Sequence, residues 1–100
     1  AQNNTRTLTT TLHLITHSLK SGKMNLYEKA LDKFGNQHQK LKLIEEMAEL
    51  TQAIIKDSNI AEEIADVQIV LDQIKLLYPD WKSWEQVKIQ RLKEICNFEE

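Results

Sequence analysis

The sequence predicts an all-α fold, a four-helix-type bundle that is completed by oligomerisation. The chain has 100 residues with only two glycines and one proline, so few tight turns are expected. No segment shows the strict alternation of apolar and polar residues that is typical of a strand. Apolar residues recur instead at intervals of three and four, as they do in amphipathic helices. The length is that of a single domain.

The ends of the first two helices are predicted from capping and turn residues. The first is predicted to start after Asn25, with Glu28 as its capping-box partner, and to end near Gly35. The second is predicted over residues 37–56, and the polar residues 57–59 read as a turn.

The third helix is predicted over residues 60–78, with a capping box formed by Asn59 and Glu62, and it is stopped by Pro79. A helix that is apolar on two sides needs two packing partners. We therefore expect a homodimer or a homotetramer with helices shared across the interface. One apolar stripe consists of Ile60, Ile64, Val67, Leu71, Ile74 and Tyr78, and the other of Ala65, Ile69 and Leu76.

The fourth helix is predicted from a cap at Ser83 and Gln86 to about Cys96. Cys96 is the single cysteine, so no internal disulfide can form, which fits a reducing cytoplasm. No apolar run approaches the length of a membrane span, and no secretion signal is visible. The net charge of −2 argues against a nucleic-acid partner.

The composition separates an N-terminal extension, residues 1–23, from a domain over residues 24–100. The extension is rich in threonine and carries three bases and no acid, whereas the domain carries ten bases and fifteen acids. Apolar residues at helical spacing predict one amphipathic helix over residues 7–20, ended by Gly22. The extension is either dispensable or packs across a subunit interface. The spaced residues are Leu8, Leu12, Ile15 and Leu19.

Two acid pairs lie on the helices joined by the turn. In "LIEEMAELTQAII", residues 43–55, Glu46 falls at the rim of the apolar face and Glu49 follows one turn later. Glu63 falls within the apolar face of the third helix, and Asp66 lies at its edge. Residues at i and i+3 share a face, so antiparallel packing would bring the four carboxylates together.

Four carboxylates offer only hard oxygen ligands, which suit Mg²⁺, with Mn²⁺ as the alternative. Zinc sites favour cysteine and histidine, and a di-iron bundle requires Glu-x-x-His pairs that the chain lacks. The competing interpretation is ordinary solvated surface charge, because either acid motif alone is frequent on exposed helix faces.

The text "EEMAE" at residues 45–49 followed by "EIAD" at residues 63–66 resembles the Glu-Glu-x-x-Glu … Glu-x-x-Asp signature of the MazG-like all-α nucleoside triphosphate pyrophosphohydrolases. The flanking text, including "KIQRLKEI", is similar to short single-domain bacterial and phage members. The resemblance covers about residues 24–96.

The resemblance implies a Mg²⁺-dependent hydrolase that cleaves nucleoside triphosphates between the α and β phosphates, releasing a monophosphate and pyrophosphate. House-cleaning of nucleotide pools is the expected role. The implied metal ligands are Glu46, Glu49, Glu63 and Asp66. Glu45 matches the first acid of the signature, and either Glu45 or Glu49 is the expected catalytic base.

The resemblance also assigns Lys88 and Arg91 of the last helix to substrate phosphate binding. The alternative is that both are ordinary solvated charges on a helix surface. Two rival functions stay open at this point. One is a non-catalytic, oligomeric helical interaction or regulatory protein that retains the fold. The other is an enzyme resembling phosphoribosyl-ATP pyrophosphatase. No motif identifies the preferred base or sugar.

Overall fold

The computed structural model describes residues 22–99, and the prediction of an all-helical fold is confirmed for this part of the chain. The extension up to residue 21, with its predicted helix over residues 7–20, lies outside the described residues. Residues 22–99 form four helices and no strand, namely α1 Gly22–Phe34, α2 Asn36–Lys56, α3 Ile60–Lys75 and α4 Trp81–Ile95.

The start of α1 differs from the predicted start. Helix α1 begins at Gly22, the first described residue. Asn25 consequently lies inside the first turns of α1, so the predicted capping box of Asn25 and Glu28 is wrong. A side-chain cap is useful only at the residue that precedes a helix, where backbone N–H groups have no partner.

A single glycine joins α1 to α2. Gly35 adopts φ 94°, a left-handed value that other residues rarely take. Its N–H donates to the Leu31 carbonyl at 2.8 Å, and its carbonyl accepts from the Gln39 N–H at 3.1 Å. Gly35 thus closes one helix and opens the next, which lets α2 begin at Asn36.

Residues 57–59 reverse the chain between α2 and α3, as predicted. Asp57 has a left-handed conformation with φ 53°, and the Ser58 N–H donates to the Ala53 carbonyl at 3.0 Å, as in a Schellman motif. Asn59 directly precedes α3, but it is also left-handed and its side chain makes no capping hydrogen bond. The predicted capping box with Glu62 is therefore wrong, although the predicted start of α3 is confirmed.

The third helix ends earlier than predicted and the fourth begins earlier. After Lys75 the chain tightens, with the Tyr78 N–H donating to the Lys75 carbonyl at 3.2 Å just before Pro79. The residue that precedes α4 is Asp80, so Ser83 lies within α4 and is not its cap.

The apolar core of the described residues is small and is shared by the first three helices. The most extensive packing joins α2 to α3, and α1 lies across both of them. Tyr27 and Leu31 of α1, Ala53 of α2 and Val70 of α3 are the buried hydrophobic residues of this part. The small core reflects the short chain, because small domains bury a limited share of their surface.

Large apolar side chains remain exposed on every helix. On α3, Ile64 and Ile69 are about half exposed, so both predicted stripes retain open surface. Helix α4 has no extensive contact with the other three helices, and none of its residues is buried. Its exposed apolar residues are Trp84, Val87, Ile89, Leu92 and Ile95. Oligomerisation stays a prediction that this surface motivates.

Among residues 22–99, no helix combines the length and the hydrophobicity needed to cross a lipid bilayer.

The buried position of Leu31 leads to a stability prediction. Leu31 is 4% exposed, whereas Leu26 on the same helix is 60% exposed. We expect Leu31→Ala to lower the free energy of unfolding by about 2–5 kcal/mol, because it leaves a cavity in the core. The matched variant Leu26→Ala should change it by about 0.5 kcal/mol or less. Denaturant titration measures both values, and equal losses would contradict the core position of Leu31.

Candidate metal centre

The antiparallel pairing of α2 and α3 aligns polar residues along one seam. The buried residues of α2 are Gln39, Glu46 and Ala53, each seven residues after the one before. Seven residues are close to two helical turns, so all three lie on the face that packs against α3. Glu46 is therefore held inside the hairpin and does not point into solvent.

The structure brings Glu46 together with both acids of α3. One carboxylate oxygen from each of Glu46, Glu63 and Asp66 lies within 4.8 Å of the other two. Glu46 is buried, and Glu63 and Asp66 are half-buried. The packing of α2 on α3 holds these three acids near one another. Glu49, the fourth acid that was predicted to converge here, is not in this group.

Glu46 also belongs to a second group that lies entirely on α2. Oxygen atoms of Glu45, Glu46 and Glu49 likewise lie within 4.8 Å of one another. Glu45 and Glu49 are exposed, whereas Glu46 is buried. The five acids named from the sequence thus form one continuous cluster that shares Glu46.

Glu63 has a buried carboxylate oxygen whose hydrogen bonding is unsatisfied. Its Oε1 atom is buried and accepts no hydrogen bond within the part of the chain that the structure describes. Loss of hydration raises the pKa of Glu63, and repulsion from Glu49 and Asp66 raises that pKa further. Among residues 22–99, no ion pair joins a lysine or arginine to Glu63.

Lys42 supplies a positive charge on the other side of the cluster. Its Nζ atom lies 3.1 Å from Glu45 Oε1 and 3.3 Å from Glu46 Oε2. Hydrogen bonds to these two glutamates raise the pKa of Lys42, so the ammonium is retained. Our reasoning from the sequence missed this residue, although its spacing of three and four residues before the two acids indicates the contact.

An open groove of about 420 Å³ leads to the cluster. Three of its lining residues are the acids Glu45, Glu49 and Glu63, and Lys56 is the cation among them. The groove is wide enough to admit a small ligand, and its acidic wall would repel an anion that carries no cation. The other lining residues are Ala48, Gln52, Ala53, Ser58 and Asn59.

The donor set fits a hard divalent cation. Each ligand atom in both groups is a carboxylate oxygen, the donor that Mg²⁺ and Mn²⁺ prefer. Among three oxygens bound to one octahedral Mg²⁺, at most one pair lies on opposite sides, roughly 4.2 Å apart, and the other pairs lie roughly 3.0 Å apart. Oxygens spread over as much as 4.8 Å would therefore move closer together when an ion binds. The unpartnered Oε1 of Glu63 is the atom that gains most from such an ion. Glu46, Glu63 and Asp66 would hold it, with Glu49 beside them.

The predicted phosphate-binding pair lies elsewhere on the chain. Lys88 and Arg91 are exposed residues of α4, and neither lines the acidic groove. Lys88 instead borders a second groove, of about 590 Å³, together with Tyr78, Trp81 and Trp84. The phosphate-binding role of this pair stays a prediction.

Comparison of the chain with protein-family models, with curated proteins and with solved structures found no match.

The environment of Glu63 predicts the pH dependence of stability. Because the folded pKa of Glu63 is raised above its ordinary value of 4.5, the folded state keeps this proton to higher pH than the unfolded chain does. Stability is therefore lost as the pH rises from about 4.5 through the folded pKa. Without divalent ions, Glu63→Gln should melt above the wild type at pH 7, and the difference should shrink towards pH 4.

Thermal melts at matched pH, with Glu94→Gln on exposed α4 as the control, measure this difference. A gain that is the same at both pH values, or that Glu94→Gln reproduces, would contradict the assigned environment of Glu63.

Proposed function

We propose that the chain is a Mg²⁺-dependent nucleoside triphosphate pyrophosphohydrolase of the MazG-like all-α kind. The observation that carries the proposal is the convergence of Glu46, Glu63 and Asp66 from two helices around a buried carboxylate oxygen without a partner. Retaining such a site in a small core is unfavourable without a cation, because buried carboxylates repel one another and are costly to strip of water.

The acids divide into two roles by depth. Glu46 and Glu63, the more buried acids, would hold the ion with Asp66, whereas Glu45 and Glu49 are exposed and line the groove. When bound, Mg²⁺ would offset the negative charge, bridge phosphate oxygens and acidify a water molecule. Mn²⁺ is the alternative ion.

Glu49 is the better candidate for the general base. Glu45 is engaged by Lys42 at 3.1 Å, which lowers its availability to accept a proton. Glu49 faces the groove and lies close enough to Glu63 to raise the pKa of that residue. In the proposed reaction, Glu49 takes a proton from the attacking water, whose oxygen bonds to one phosphorus of the bridge between the α and β phosphates. The bond from that phosphorus to the bridging oxygen breaks, and monophosphate and pyrophosphate leave.

We further propose that the protein works as a homodimer or homotetramer. Helix α4 has 15 residues and no extensive packing partner among residues 22–99, although isolated helices of this length are marginal in water. Its exposed apolar face supports burial against a second copy. Lys88 and Arg91 lie outside the acidic groove of their own chain, so a role in binding pyrophosphate requires α4 of a neighbouring copy.

The reaction class leads to a prediction about Glu63. The wild type with Mg²⁺ should convert a nucleoside triphosphate into monophosphate plus pyrophosphate, as resolved by chromatography of the products. Glu63→Gln should lose this activity by a factor of at least about 10² while its circular dichroism spectrum stays helical, because one ion ligand is removed. Glu94→Gln should retain the activity.

Two outcomes would contradict the proposed reaction. Diphosphate plus phosphate as products would exclude cleavage between the α and β phosphates. An absence of metal-dependent turnover with any triphosphate, together with a melting temperature that Mg²⁺ does not change, would favour the non-catalytic helical interaction protein.

The assembly prediction concerns the apolar face of α4. Ile95, the last residue of α4, belongs to this face and is 73% exposed. We expect Ile95→Glu to convert the dimer or tetramer into monomer in sedimentation velocity, because the new charge would be buried without a partner. Gln90→Glu, on the polar side of the same helix, should leave the mass unchanged. A monomeric wild type at high protein concentration would refute the proposed assembly.

A further inference from the structure

A second polar layer lies in the same seam as the acid cluster. Gln39 of α2 and Gln73 of α3 are 5% and 4% exposed, and Gln39 Nε2 donates to Gln73 Oε1 at 2.7 Å. The Oε1 atom of Gln39 lies 2.9 Å from Nδ1 of His38. That contact occupies the acceptor of Gln39 and leaves its amide N–H for Gln73.

The sequence spacing fixes the position of the amide pair relative to the acid cluster along the seam. Gln39 lies seven residues before Glu46, and Gln73 lies seven residues after Asp66. In an antiparallel pair, a contact between Gln39 and Gln73 therefore places Glu46 opposite Asp66, roughly 10.5 Å further along the seam. Between the two layers lies the buried apolar side chain of Val70.

We infer that the hydrogen bond between Gln39 and Gln73 fixes the register that assembles the acid cluster. The two glutamines are positioning residues of the proposed metal centre, and this inference rests on the proposed function only for its metal-binding consequence. A slip of one helical turn displaces one helix by about 5.4 Å. The oxygens of Glu46, Glu63 and Asp66 lie within 4.8 Å of one another, so such a slip would separate the acids of the two helices.

The turn at residues 57–59 joins the two helices at one end of the seam, and the amide bond fixes their register towards the other end. Apolar contacts are non-directional, so Val70 and its neighbours tolerate a shift along the seam. The acids themselves favour a shift, because they repel one another when no cation is present. The amide bond is directional, and a slipped register would leave two buried amides without partners.

Stability alone does not explain the amide pair. Replacing both partners of a buried hydrogen bond by apolar groups of the same shape is often nearly neutral, so an apolar pair would hold the helices together equally well. A buried polar pair that specifies register is a known device in helical assemblies. Register, and with it the geometry of the acids, is what the glutamines add.

The test uses the double variant Gln39→Met/Gln73→Met in the full chain. Methionine has nearly the length of glutamine and no amide. Exposed glutamines on the same two helices provide the matched control, Gln37→Met/Gln68→Met. The first measurement is the Kd for Mn²⁺ alone, followed by electron paramagnetic resonance. The second is the gain in melting temperature that Glu63→Gln produces without any metal.

We expect the Met/Met variant to remain folded, to bind Mn²⁺ at least about tenfold more weakly, and to lose most of the metal-free gain from Glu63→Gln. That gain arises from repulsion in the native register, so it disappears when the acids can move apart. The control should match the wild type in both measurements. If the double variant does not fold, Gln39→Leu/Gln73→Leu, which likewise leaves no buried amide without a partner, is carried through both measurements with the same expected directions.

Failure of the proposed function and failure of the register inference give different experimental results. A wild type that binds no Mn²⁺ overturns the proposed function, while the gain from Glu63→Gln still tests the register without metal. A Met/Met variant whose gain from Glu63→Gln equals that of the wild type overturns the inference, and an unchanged Mn²⁺ affinity does the same while leaving the proposed function intact.

Discussion

The antiparallel packing of α2 against α3 is the constraint on which the rest of the structure depends. It is the most extensive helix contact of residues 22–99, and it supports both the apolar core and the acid cluster. The turn at residues 57–59 fixes the direction of the pair, and two left-handed residues, Asp57 and Asn59, keep that turn short. Helix α1 covers the hairpin with Tyr27 and Leu31, whereas α4 extends from it without extensive contacts.

The same seam carries opposing requirements. Apolar contacts favour close approach, and the carboxylates of Glu46, Glu63 and Asp66 oppose it. The result is a site in which one oxygen of Glu63 is buried without a partner while the remaining seam is well paired. A buried polar atom without a hydrogen bond lowers the stability of the fold, and such unfavourable features are typical of functional sites.

Much of this arrangement could be predicted from the sequence. Periodicity located α2 almost to the residue, and stepping around the helices at 100° per residue placed Glu46 and Glu63 towards the apolar side. The helix starts of α1 and α4 could not be found in this way, because Asn25 and Ser83 resemble caps while the helices begin earlier. Capping motifs are local and short, so they occur by chance inside helices as well as at their ends.

Two parts of the site escaped prediction for a physical reason. Gln39 and Gln73 are polar residues in an apolar seam, and their partnership joins positions 34 residues apart that no local pattern connects. The separation of Lys88 and Arg91 from the acidic groove depends on the direction in which α4 leaves the hairpin. That direction is set by the turn around Pro79, which helical periodicity does not describe.

The contact of Lys42 with Glu45 and Glu46 bears on how such an acidic hairpin comes to exist at all. Many small metal-binding domains cannot fold before their ion arrives, because the ligands repel one another. Here an internal ammonium group accompanies two of the acids from the moment α2 forms, since all three belong to one helix turn. Part of the negative charge of α2 is thus already offset when the chain folds, whether or not any cation is present.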